Sequence, residues 1–207
     1  KIGQTMASEW EKSAGADGAA MLAAYRKQVR RALDTLYRVA LWASALFLVA
    51  IALMVGVQLA ARLIDGALAL LHLPRTELVI LSLNEICGYL LSGASFLALA
   101  GTLKAGAHIR VTLVLAALSE RARRYVELWA FSFAAVCAGY MTGHLANFAW
   151  VSFRFSEVSP GVIRVPLAYP QAVMALGALI LTIALVDELC IVVTRGRPTF
   201  RVAEDAI

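Results

Sequence analysis

Four long apolar runs constrain this chain more than any other feature. Val39–Ala61 carries no charge, and Gln58 is its strongest polar group. At 1.5 Å per residue a helix of that length covers about 35 Å, enough to cross a hydrocarbon core of about 30 Å. Leu78–Leu103, Leu128–Phe153 and Val165–Val186 are the other three runs. Inside a bilayer every backbone N–H and C=O must find a partner within the protein, so such runs are expected as helices. The sequence therefore predicts an all-α membrane protein with four transmembrane helices. Composition agrees: 61% of residues are hydrophobic and 16% charged, against about 25% charged in a soluble domain. The net charge of +5 does not point to nucleic acid, because the charges sit at the ends of the apolar runs.

Those charges predict the orientation. Taken in order, the five segments outside the runs hold seven, two, five, two and three Lys or Arg residues. Basic residues favour the cytoplasmic side. The alternation predicts that the N-terminus, the central link and the C-terminus are all cytoplasmic. Four spans place both termini on one side, which agrees.

Residues 1–18 are polar and expected to be poorly ordered. In Ala19–Arg38, Met21, Tyr25, Val29, Leu33 and Leu36 recur at helical spacing, and Arg26, Lys27, Arg30 and Arg31 fill the other face. This is a basic amphipathic helix. It suits an interfacial position before the first span or a helical extension of that span. Val111–Tyr125 reads as a second amphipathic interfacial helix, between spans two and three. The chain thus divides into residues 1–38, a four-helix membrane domain over 39–186 and a cytoplasmic tail over 187–207. Ser159-Pro160-Gly161 signals a turn. Pro166 is expected in the first turn of the fourth span, with Pro170 bending the helix start.

Few residues carry chemistry. Glu85, beside Asn84, is the acid set well inside an apolar run. Intramembrane acids are functional candidates by default. Glu85 suits helix anchoring or an intersubunit contact, snorkelling or pairing with Arg62 or Arg75; ion or substrate binding is the rival role. Tyr140, His144 and Asn147 share one face of the third span, expected to fix packing by interhelical hydrogen bonds. Gly139 and Gly143 beside them form a GxxxG pattern that permits close helix approach. Haem ligation between helices needs two histidines at matching depth. Only His144 is deep; His72 and His108 lie in links. HExxH, GxSxG, P-loop and paired CxxC motifs are all missing, so no cofactor, metal or catalytic site is expected. Cys87, Cys137 and Cys190 read as small buried hydrophobes.

One constellation carries a resemblance. Asn84-Glu85 breaks the start of the second run, and Gly88, Gly93 and Gly101 follow within it. Lys104-Ala-Gly106-Ala-His108-Ile-Arg110-Val111 comes next. This order resembles the small membrane (Q) subunit of tripartite ATP-independent periplasmic (TRAP) transporters, which carries a Gly-His-Ile-Arg-Val-Asp type of motif. Arg164-Val-Pro166, with Pro170 and Gly177, is similar to the family's proline-bearing entry to the fourth span. The resemblance covers roughly residues 35–195. Thr112 stands where the family has its acid, and Leu167-Ala168 lacks the usual aromatic.

The resemblance implies a non-catalytic subunit of a sodium-coupled importer of an organic acid, a carboxylate by class, in a bacterial inner membrane. It implies two protein partners: a large multi-span membrane subunit that holds the sodium and substrate sites, and a periplasmic substrate-binding protein. The lipid bilayer is the third partner. Glu85, Lys104, His108, Arg110, Gly139, Gly143 and Pro166 would then serve assembly or membrane anchoring. Arg75, Glu77, Arg154 and Glu157 would form the periplasmic docking surface. The rival reading is the membrane anchor subunit of a redox enzyme complex.

Overall fold

A computed structural model describes residues 2–71, 74, 81–104 and 119–195, with residues 2–26, 120, 121 and 195 described by backbone alone. The described chain forms four helices: α1 (Ile2–Leu70), α2 (Leu83–Lys104), α3 (Glu120–Arg154) and α4 (Ala168–Arg195). Lys27–Leu70, Leu83–Lys104 and Ala168–Thr194 are long and apolar enough to cross a membrane. α3 has the length, but its composition falls short. Charges crowd its first two turns, and Thr142, His144 and Asn147 interrupt its middle. Of the expected second interfacial helix, Val111–Tyr125, residues 111–118 lie outside the described residues and Glu120–Tyr125 belongs to α3.

The basic N-terminal stretch and the first apolar run form one uninterrupted helix. No glycine or proline occurs from Ala19 to Val55, so nothing in the sequence breaks the hydrogen-bond ladder there. Residues 2–18, expected to be poorly ordered, belong to the same helix. It also runs past Arg62 and Asp65 to Leu70. Two units divide the chain, Lys1–Val39 and Ala40–Ile207; the packing that follows is that of the second.

α4 packs against both α2 and α3. Small residues line these contacts: Ala100, Ala178 and Ala184 are fully buried. Lipid tails are as apolar as leucine, so helices in a bilayer associate by close packing and hydrogen bonds. At Gly177 the nearest neighbour is backbone rather than a side chain. A methyl group there would lie 2.6 Å from the carbonyl carbon of Phe96 on α2, so the backbones meet with no room for a side chain. Gly101 lies under Leu41 of α1, and Gly93 lies under Phe47. The Ser44 hydroxyl of α1 donates to the Ala94 carbonyl at 2.8 Å in a buried setting. The pairs 41–101, 44–94 and 47–93 make α1 and α2 antiparallel. Between α3 and α4 the hydroxyls of Thr142 and Thr182 stand 3.0 Å apart. Each also lies within 3 Å of a carbonyl one turn back in its own helix. A hydroxyl has one proton, so one threonine donates across while the other donates back.

The helix ends explain the remaining local structure. α3 closes in a Schellman motif: Glu157 N–H donates to Ser152 C=O at 3.0 Å, and Ser156 N–H to Phe153 C=O at 3.4 Å. Ser156 occupies the left-handed position with φ 52°, at about 1 kcal/mol of cost for a residue with a Cβ. An isolated antiparallel bridge between Val158 and Pro166 follows. Pro166 therefore precedes the last helix instead of opening it. Pro170 falls in the first turn of α4, where its missing N–H costs nothing, so no bend is required.

Asp187 and Glu188 end the fourth apolar run in sequence, but α4 continues through them to Arg195. Both accept from Lys104 at the end of α2. The ammonium is 2.5 Å from Asp187 Oδ2 and 3.0 Å from Glu188 Oε1. Glu188 is 1% exposed, a depth at which a carboxylate requires a cation or several donors.

An SDS-unfolding titration of the purified chain tests this packing. Gly177→Ala forces α2 and α4 apart and is expected to destabilise by about 1–3 kcal/mol. Gly143→Ala, whose new methyl would meet nothing within 4 Å, is expected to be neutral or slightly stabilising. Lys104→Met is expected to cost about 3 kcal/mol, the lower end for breaking a buried pair. Adding Glu188→Gln should recover part of that loss.

Candidate functional site

The polar residues that join separate helices gather at the two ends of the second unit. One end is the Lys104–Asp187–Glu188 cluster. The other is built where α2 begins and the α3–α4 link folds over it. Ser82, with φ 56°, precedes α2, and its carbonyl accepts from the N–H groups of Glu85 and Ile86, both at 3.1 Å. Its hydroxyl accepts from Ile163 N–H at 3.1 Å. One turn into α2, Glu85 Oε2 accepts from the Ser159 hydroxyl at 2.6 Å. The Ser159 oxygen in turn accepts from Gly161 N–H at 3.2 Å. Ser159 is 2% exposed.

Gly161 is required by this arrangement. The Glu85 carboxylate lies directly over it, in the space a Cβ would take. Any side chain at 161 would push the carboxylate off Ser159. Glu157 is held in a similar way, its Oε2 accepting from the Ser152 hydroxyl at 2.7 Å. What this end can do chemically is fix the α3–α4 link against α2. Among the described residues no group of three or more His, Cys, Asp or Glu stands close enough to hold a metal ion.

The sequence candidates divide as follows. Glu85 and Glu157 lie at this end, each held by a serine. Arg154 is exposed at the last turn of α3. Lys104 lies in the opposite cluster. His108, Arg110, Arg75 and Glu77 lie outside the described residues. Gly139 faces the Thr182 methyl at an ordinary 3.8 Å, and Gly143 faces open space. The Tyr140 and His144 rings touch in a tilted arrangement, 4.3 Å between centroids and 56° between planes. Both rings, and Asn147, point away from the other helices and are exposed. Cys137 and Cys190 are also exposed, not buried as expected, and Cys87 is half-buried. Their helices turn those positions outward.

Several contributing residues carried no sequence signal of their own. Ser159 and Gly161 read only as a turn. Ser82 sits in a link. Asp187 and Glu188 read as the end of a run.

Residues 72–195, more than half of the chain, match the family described as the DctQ component of tripartite ATP-independent periplasmic transporters. No curated protein and no solved structure matches. The match covers α2, α3, α4 and the link with its serine–glutamate contacts. The family is one of non-catalytic transporter components in the membrane, and its three-part system implies a large membrane partner and a periplasmic partner. The chain belongs to the DctQ component family of the TRAP transporters.

Proposed function

We propose that this chain is the small subunit of a sodium-coupled TRAP transporter that imports an organic acid, a carboxylate by class, across a bacterial inner membrane. It supports the scaffold of the large transport subunit. The observation that carries this reading is where the polar contacts between helices sit. They gather at the two ends, while Ser44–Ala94 and Thr142–Thr182 bridge helices between the ends. A bundle joined in this way suits a support, with the solute path in the large partner.

In this reading α3 also crosses the membrane, as the third of four spans. Its exposed Trp129 and Trp150 are separated by about 31 Å of helix, close to the hydrocarbon thickness. Tryptophan favours the two membrane interfaces. The basic N-terminal segment, the central link and the tail then lie in the cytoplasm. Lys104, His108 and Arg110 hold that rim, while Glu85, Gly139, Gly143 and Pro166 serve assembly or anchoring. Arg75, Glu77, Arg154 and Glu157 face the periplasm, where the binding protein docks. The outward Tyr140–His144–Asn147 face, poorly solvated by lipid tails, meets the large subunit.

Co-purification tests the proposal. The tagged chain should bring down a much larger membrane protein and bind no carboxylate by itself; saturable carboxylate binding to the isolated chain would contradict it. Gly161→Ala, which displaces the Glu85 carboxylate, should lower recovery of the large subunit about as much as Glu85→Gln does. Arg110→Ala should lower transport by loss of assembly while the isolated binding protein keeps its substrate affinity.

A further inference from the structure

A cavity of about 350 Å³ lies between the end of the first apolar run, the start of α2 and the α3–α4 link. Gln58, Arg62, Asn84, Glu85, Gly161 and Val162 contribute to its walls. Its size is in the range of small-ligand sites. It holds one guanidinium and one carboxylate, yet among the described residues Arg62 makes no ion pair. Glu85 is held away by Ser159, through one of its two oxygens. A cation and an anion that face one cavity without closing on each other suit a ligand carrying both charges.

The depth of the cavity narrows the ligand further. Arg62 is the first charge after the apolar run of α1, so the cavity lies at headgroup level. Leu59 and Leu63, on either side of Arg62 in sequence, are 57% and 66% exposed. Val55, one turn deeper than Leu59, is exposed as well. The charged cavity therefore continues into an apolar surface that runs toward the bilayer centre.

We propose that this cavity binds an amine-bearing phosphodiester headgroup, with Arg62 on the phosphate and Glu85 on the ammonium. The guanidinium fork matches two phosphate oxygens. The N-terminus of α2 adds partial positive charge on the same side. The Gln58 and Asn84 amides supply further polar contacts. Two sources carry this headgroup chemistry, a phosphatidylethanolamine lipid and a soluble glycerophosphoethanolamine. The exposed apolar surface of α1 favours the lipid, with an acyl chain lying along Leu59 and Val55.

Native mass spectrometry of the full chain, delipidated in detergent, tests this. The probes are phosphatidylethanolamine, phosphatidylglycerol and glycerophosphoethanolamine. The expected result is one retained phosphatidylethanolamine, preferred over phosphatidylglycerol by roughly tenfold, about 1.4 kcal/mol. Glycerophosphoethanolamine should bind far more weakly. Arg62→Gln should lose the retained lipid. Val162→Trp, which fills the cavity from the exposed link and leaves Arg62 in place, should lose it too. Equal retention of the two lipids, or retention unchanged in both variants, would overturn the site. Soluble headgroup binding as tight as the lipid would overturn the lipid as its occupant.

Discussion

The close approach of α2 and α4 at Phe96 and Gly177 is the constraint on which the rest of the bundle depends. Hydrophobicity does not draw two apolar helices together in lipid. What holds them is contact between backbones, and Gly177 leaves no space for anything else. The other two helices join through this pair. α1 attaches to α2 by a buried serine and by two glycines that receive Leu41 and Phe47. α3 attaches to α4 by a pair of threonine hydroxyls. α4 is thus the member that meets both neighbours over long faces.

The charged contacts secure the same pair at its ends. Glu85 and Lys104 stand in the first and last turns of α2, separated by about 28 Å of helix. That is close to the thickness of the hydrocarbon core. Each charge suits the helix dipole at its end, and each reaches out of α2 to a different part of the chain. Lys104 joins α4 directly, and Glu85 joins the link that leads into α4. The helix is fixed in depth and rotation by bonds that lie near the two membrane surfaces, where charge is tolerated. Its middle is left to small residues. This division of labour suits a scaffold component better than a conduit.

Much of this architecture was legible in the sequence, because span length and charge placement are dictated by the bilayer itself. The transporter family came from the resemblance carried by Asn84-Glu85 and Lys104–Val111. The four helices and the significance of Glu85 and Lys104 at the ends of one run followed from span length and charge placement. The partners of those charges did not. Lys104 and Asp187 are 83 positions apart, and their meeting depends on α2 and α4 lying side by side in the same direction. Ser159 looked like part of a turn because its hydroxyl matters only once the link folds back over α2. The glycines show the same limit. Gly139 and Gly143 form the recognisable spacing, yet the close contact uses Gly177, since a small-residue pattern does not reveal which face meets a neighbour. Sequence marked Pro166 and Pro170 as features of the helix entry, but the bridge between Val158 and Pro166 decides where α4 begins.

Under the proposed function, this chain supports transport without performing it. Reconstitution into liposomes addresses that most directly, with carboxylate uptake measured under a sodium gradient. Uptake is expected when this chain, the large membrane subunit and the periplasmic binding protein are all present, and none with this chain alone. Uptake by this chain alone, or full uptake by the other two without it, would contradict the account.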